Sequence, residues 1–175
     1  MEEDLLELST RRQLYDTVRR SPGIGAREAQ RAAGTGWGET VYHLDRLTAG
    51  GLLHRERAGH QDHYFVATVP LGDRRLIRFA RSASARRLLL TLLEAPGATV
   101  PDLCERAGLS AGRISVHLRR LLDTGMLETG RKGRLRTFSL ADRERVIRLL
   151  VTYRESLADQ WVERVLETWS ELFRP

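Results

Sequence analysis

The chain has one cysteine, Cys104, so no internal disulfide can form and a reducing, cytoplasmic setting is expected. It has one lysine, Lys132; its other fixed cations are all arginine. A G+C-rich genome accounts for the choice of arginine but not for where the arginines sit. No apolar run approaches the ~20 residues a membrane span needs. The longest, 88–93, is closed by Glu94 and Pro96. The first residues are acidic (Glu2, Glu3, Asp4, Glu7), the opposite of a secretory signal. No nucleophile–base constellation, phosphate loop or paired-carboxylate motif occurs. A non-enzyme without a cofactor is therefore expected.

What is present is a repeat. Shifted by 74 residues, stretches 10–66 and 84–140 align without a gap. His43 and Leu44 fall on His117 and Leu118, Pro22 and Gly23 on Pro96 and Gly97, and Ala33 and Gly34 on Ala107 and Gly108. Arg46 and Leu47 meet Arg120 and Leu121, and Gly51 meets Gly125. An ungapped match this long implies two copies of one small fold. Each copy has about 60 residues, near the lower limit for a self-sufficient core.

Charge follows the repeat. The net charge is +6 over 175 residues. Residues 10–66 hold 9 cations and 6 anions, and residues 84–140 hold 10 and 5. The connector 67–83 adds a net +3, while residues 1–9 carry −4 and 141–175 carry −1. Basic charge concentrated in the repeats points to a polyanionic partner.

In the second copy, Ser84 is read as the N-cap of a helix bearing Leu88, Leu89, Leu92 and Leu93. Pro96-Gly97 stops that helix. Thr99 and Asp102 have the spacing of a capping box, with Pro101 tolerated in the first turn. That short second helix ends at Gly108, and Ser110 caps a third one only two residues later. Helices joined so tightly form a helix-turn-helix. The third helix, about 111–124, turns Ile114, Leu118 and Leu121 to the core. Its opposite face carries Gly112, Val116 and Arg119, flanked by Arg113, Ser115 and Arg120. Strands over 126–129 and 135–140 then flank a turn at 130–133. In the first copy, Ser9 caps helix one. Helices over 26–33 and 37–48 follow, then strands over 52–57 and 63–67 with a tip at 58–61.

SAGRISVHLRRLLDTGML (110–127) resembles the recognition helix of ArsR-like winged-helix regulators, whose pattern is roughly S-x-x-x-[IV]-S-x-H-L-x-x-L-x-x-x-G-L. TVYHLDRLTAGGLL (40–53) resembles the same pattern in archaeal relatives. The fold implied is mostly α with small β-hairpins (α+β): two tandem winged helix-turn-helix domains and a long C-terminal helix. The divisions expected are an acidic tail 1–8, domain one 9–69, a connector helix 70–83, domain two 84–140 and a terminal helix 141–175. The resemblance implies that helix three enters the major groove of double-stranded DNA while the wing touches the backbone. The residues it assigns are Ser110, Gly112, Arg113, Ser115, Val116, Arg119 and Arg120 on the helix. On the wing they are Arg131, Lys132, Arg134 and Arg136. Tyr42, Arg46 and Arg57 are their counterparts in the first copy. ArsR relatives also sense metals, through paired cysteines or through His and carboxylate ligands on the tail helix. Here Cys104 stands alone and no histidine follows His117, so no metal site and no small-molecule effector is identified. His54, His60 and His63 share the first wing at a generic spacing.

The copies are not equivalent. Arg113 corresponds to Glu39 and Arg119 to Asp45. Carboxylates repel phosphates, so the second copy is expected to be the principal DNA reader. The first would bind DNA more weakly or pack on protein, through Trp37 and Tyr42. Against this stands the plainer expectation that Asp45 pairs with a neighbouring arginine and both copies touch DNA. His43 and His117, at the edge of the core stripe, are read as partly buried structural side chains or phosphate contacts. In the tail, Asp142 is expected to cap one helix reaching about residue 173. Val146, Leu150, Tyr153, Leu157, Trp161, Val165, Trp169 and Leu172 would form its homodimer stripe. The leading functional expectation is a DNA-binding transcriptional regulator, cytoplasmic and nucleoid-associated. An architectural DNA-binding protein and a winged-helix protein-interaction subunit are the alternatives.

Overall fold

A computed structural model describes residues 8–157. The acidic start and Trp161, Val165, Trp169 and Leu172 lie outside the described residues. The chain divides into two compact units, with the boundary between Arg78 and Phe79. The first contains α1 (Ser9–Arg20), β1 (Ile24–Gly25), α2 (Ala26–Ala33), α3 (Trp37–Ala49), β2 (Leu53–Ala58) and β3 (Gln61–Val66). The boundary falls within the next helix, α4 (Leu71–Ala80). The second contains α5 (Ala83–Glu94), β4 (Ala98–Thr99), α6 (Val100–Ala107), α7 (Ala111–Asp123), β5 (Leu127–Lys132) and β6 (Leu135–Leu140). Two further helices follow, α8 (Arg143–Thr152) and α9 (Arg154–Leu157).

The repeat holds in three dimensions. Each unit has an antiparallel sheet, ordered β1-β3-β2 in the first and β4-β6-β5 in the second. The registers match: Ile24 pairs with Tyr64 as Ala98 pairs with Phe138, each residue displaced by 74. Glycines with positive φ also fall in pairs 74 apart, among them Gly34 (63°) with Gly108 (59°). Both end the second helix of a helix-turn-helix in the left-handed conformation that a Cβ would strain.

Local chemistry explains where the elements begin. Thr99 and Asp102 form the reciprocal capping box at α6. The Asp102 carboxylate accepts from the Thr99 backbone N–H at 2.9 Å and from its hydroxyl at 2.7 Å. Those bonds hold the Asp102 carboxyl below its ordinary pKa. Core leucines fall where helical spacing puts them. Leu14, Val18, Leu44, Leu47 and Phe65 are buried in the first unit, and Leu88, Leu92, Leu103, Ile114 and Leu118 in the second. Each such side chain contributes about 1.5–3 kcal/mol by leaving water.

Five expectations are corrected. Ser9 does not cap α1; Leu8 occupies that position and Ser9 begins the helix. Ser84 is not a cap either, because α5 starts earlier, from Ser82. The Ser84 hydroxyl lies 2.9 Å from His117 Nε2 instead. Ser110 is the N-cap of α7, but its side chain makes no capping bond. Gly130, Arg131 and Lys132 belong to strand β5, and the turn lies further out around Gly133. Within the described residues the expected tail helix is interrupted: α8 stops at Tyr153, whose φ/ψ of −107°/21° leaves the helical region, and α9 restarts beyond it. Val146, Leu150 and Leu157 are buried within the single chain, so that part of the stripe offers no surface to a second copy. The hairpins also gain the two-residue strands β1 and β4, too short to show an alternating pattern.

Candidate nucleic-acid interface

The third helix of each helix-turn-helix presents its outer face to solvent. On α7, Ile114, His117, Leu118 and Leu121 are buried. Ser110, Gly112, Arg113, Ser115, Val116, Arg119 and Arg120 are exposed. A Cβ added at Gly112 would meet nothing within 4 Å, so nothing inside the protein requires glycine there. Arg131, Lys132, Arg134 and Arg136 are exposed on the wing. Thr129, Gly130, Arg131, Arg134 and Arg136 line a shallow basic depression on it.

The second wing carries an electrostatic tension. Arg131 and Arg136 are directly paired across strands β5 and β6. Like charges so placed destabilise a hairpin unless an anion lies between them. Arg136 also lies 5.5 Å over the Phe138 ring. None of Arg113, Arg119, Arg120, Arg131, Lys132, Arg134 and Arg136 forms an ion pair with a described residue.

In the first domain two of the corresponding carboxylates, Asp45 and Asp62, pair with arginines of the same domain. Asp45 accepts from Arg55 at 2.9 Å, joining α3 to β2. Arg57 faces Asp62 across the hairpin, with their charged groups 3.8 Å apart. Glu39 lies 4.0 Å from His43 Nε2. The plainer expectation for Asp45, pairing with a neighbouring arginine, thus describes its position. Tyr42 (57% exposed) and Arg46 face solvent, as does Arg57. Trp37 is 41% exposed, with the Arg27 guanidinium 4.1 Å from its ring centre.

The wing contrast was within reach of the sequence. Asp62 and Arg136 are 74 apart, as are Arg55 and Thr129. Extending the charge comparison from the third helices to the hairpins finds both.

The two equivalent histidines are buried. Both are 7% exposed. Arg11 Nε donates to His43 Nδ1 at 3.5 Å. His117 stacks edge-on against Phe79, 5.5 Å between ring centres, and its Nδ1 is buried without a partner. Burial pushes both imidazoles below their ordinary pKa. The Arg120 and Arg113 charges push His117 the same way, as Arg11 does His43, where Glu39 partly offsets the effect. On the first wing, His63 Nδ1 engages the Gly23 carbonyl oxygen at 2.9 Å. Among the described residues no group of three or more His, Cys, Asp or Glu is placed to hold a metal. None of their helices is long and apolar enough to cross a membrane.

Comparison with known proteins agrees with this geometry. Residues 8–77 match a family described as an N-terminal HTH domain. Residues 81–128 match a winged helix-turn-helix DNA-binding family. An uncharacterised HTH-type transcriptional regulator of Methanocaldococcus jannaschii is 22% identical over 132 residues. That alignment covers 75% of this chain and 33% of the relative, so the chain spans about a third of that protein's length. Two registers of the same helices, strands and turns, each matched by a family of its own, make this a protein of two tandem helix-turn-helix domains.

Proposed function

We propose that the chain is a DNA-binding transcriptional regulator whose second domain holds the duplex. In this reading α7 enters the major groove, and Arg131, Lys132, Arg134 and Arg136 lie along the phosphates. The first domain binds DNA more weakly or packs on protein. The observation that supports this most is the contrast in ion pairing: the cations of α7 and of the second wing form no ion pair with a described residue, whereas Arg55 and Arg57 do. A guanidinium without a counter-charge is ready to release counterions from DNA, the dominant electrostatic term in duplex binding.

Salt-titrated binding to duplex DNA tests it. Arg113→Glu with Arg119→Glu should weaken binding by roughly 100-fold or more and flatten the salt slope by about two. Glu39→Arg with Asp45→Arg adds four positive charges to the first domain and should not weaken binding. Unchanged affinity in the first variant would overturn the assignment.

A homodimer remains part of the proposal, resting on Trp161, Val165, Trp169 and Leu172. Light scattering should show a chain truncated after Leu157 as a monomer; a surviving dimer places the interface elsewhere.

A further inference from the structure

We infer that α7 reads guanine and thymine, and that Val116 is the residue that recognises thymine. The inference rests on the DNA-binding reading of the second domain and names what that domain selects.

The major-groove edges of the four bases demand different side chains. Guanine offers two acceptors to an arginine, and thymine offers a methyl group to an apolar side chain. Adenine is read in two-point fashion by an amide, and the cytosine amine needs an acceptor. The exposed surface of α7 supplies only the first two kinds. Arg113, Arg119 and Arg120 are donors without acceptor capacity. Val116 is apolar and 50% exposed in their midst. The surface holds no glutamine, and the whole chain contains no asparagine. The helix's one carboxylate, Asp123, is its last residue, about 10 Å beyond Val116 along the axis. It lies about 4.5 Å beyond Arg120, outside the stretch from Arg113 to Arg120 that brackets Val116. The Ser115 hydroxyl takes either role and discriminates little. At 100° per residue it also lies about 140–160° around the helix from Arg120 and Arg113.

Spacing sets the order of contacts. Arg113 precedes Val116 by about 4.5 Å along the axis and Arg120 follows it by about 6 Å. Base pairs rise about 3.4 Å each. Val116 therefore meets a thymine with a guanine one or two steps away on either side. At the same position the first domain has Tyr42, with Glu39 where Arg113 stands. The two third helices do not read the same bases.

The experiment begins with the full-length chain selecting duplexes from a randomised library. Within the enriched site, each thymine is then replaced by deoxyuridine and each guanine by 7-deazaguanine. Wild-type affinity should fall about 3- to 5-fold at one thymine, the value of one buried methyl group. That sensitivity should vanish in Val116→Ala, whose exposed side chain leaves the core intact. Loss of guanine N7 beside it should weaken wild-type binding by about 5- to 100-fold and leave Arg113→Ala or Arg120→Ala unaffected. An enriched site read through adenine, or indifference to every thymine methyl, overturns the inference but leaves DNA binding standing. So does the absence of any enriched sequence in a chain that still binds duplex. Failure to bind any duplex at low salt overturns both readings.

Discussion

The two domains share a backbone and differ in how their charges are spent. In the first, Asp45 and Asp62 pair with Arg55 and Arg57, and Glu39 lies 4.0 Å from the buried His43 imidazole. In the second, all three positions are arginine, and those arginines have no ion-pair partner among the described residues. The core leucines, capping glycines and strand registers are shared between the copies, because each copy must fold. The charges diverge because they sit at the surface, outside the core that each copy needs to fold.

The largest stability effect that separates the domains is expected at Glu56. Its carboxylate lies 3.5 Å from both Arg74 and Arg78, and Arg74 is nearly buried. Glu56→Gln should cost about 1–3 kcal/mol, between the values of exposed and buried pairs. The equivalent position in the second domain is Gly130, so that domain has no such clasp. A thermal melt of Glu56→Gln that matches wild type would erase this difference.

A smaller effect is expected on the second wing. Arg136→Asp recreates opposite Arg131 the pairing that Asp62 gives Arg57. Stability should rise by up to about 1 kcal/mol as a like-charge cross-strand pair becomes an opposite one. DNA affinity should fall, with the salt slope lower by about one for each phosphate that Arg136 no longer neutralises. A gain in stability at unchanged affinity would remove Arg136 from the interface.

Smallest of all is a difference in pH response. Both buried histidines have a native pKa below 6.5, so the unfolded chain binds their protons first. The stability they contribute when neutral is complete above about pH 6.5 and is lost as pH falls from there toward the lowered values. Only His43 has a carboxylate, Glu39, opposing the shift. Melting temperatures measured from pH 8 to pH 5 should therefore flatten more in His117→Gln than in His43→Gln. The reverse order would show that the surrounding charges do not set the two apart.

Most of the fold was legible in the sequence because its signals are local. Gly34 and Gly108 mark the tight turns, and Thr99 with Asp102 marks a helix start. Ile114, Leu118 and Leu121 mark a buried stripe. Serines gave less secure signals: Ser9 and Ser84 both suit a helix start, yet Ser9 lies inside its helix and the Ser84 hydroxyl meets His117, a tertiary partner. The break at Tyr153 was hidden because apolar residues continue at helical spacing through it. In the candidate site, exposure followed from periodicity, but cross-strand facts did not. Arg131 facing Arg136, and Arg57 facing Asp62, depend on a register set by the position of Gly59 and Gly133 in the turns.

The Glu56 clasp also determines where the chain can be cut. Residues 71–78 follow the first sheet in sequence, yet Arg74 and Arg78 hold its hairpin through Glu56. A first domain released at residue 69 would leave that carboxylate without its counter-charges; one released after Ala80 keeps them. Between α4 and α5 only Arg81 and Ser82 stand outside a helix. The cut after Ala80 would also part Phe79 from His117, so the joint that preserves the first half's clasp costs the second half an aromatic contact.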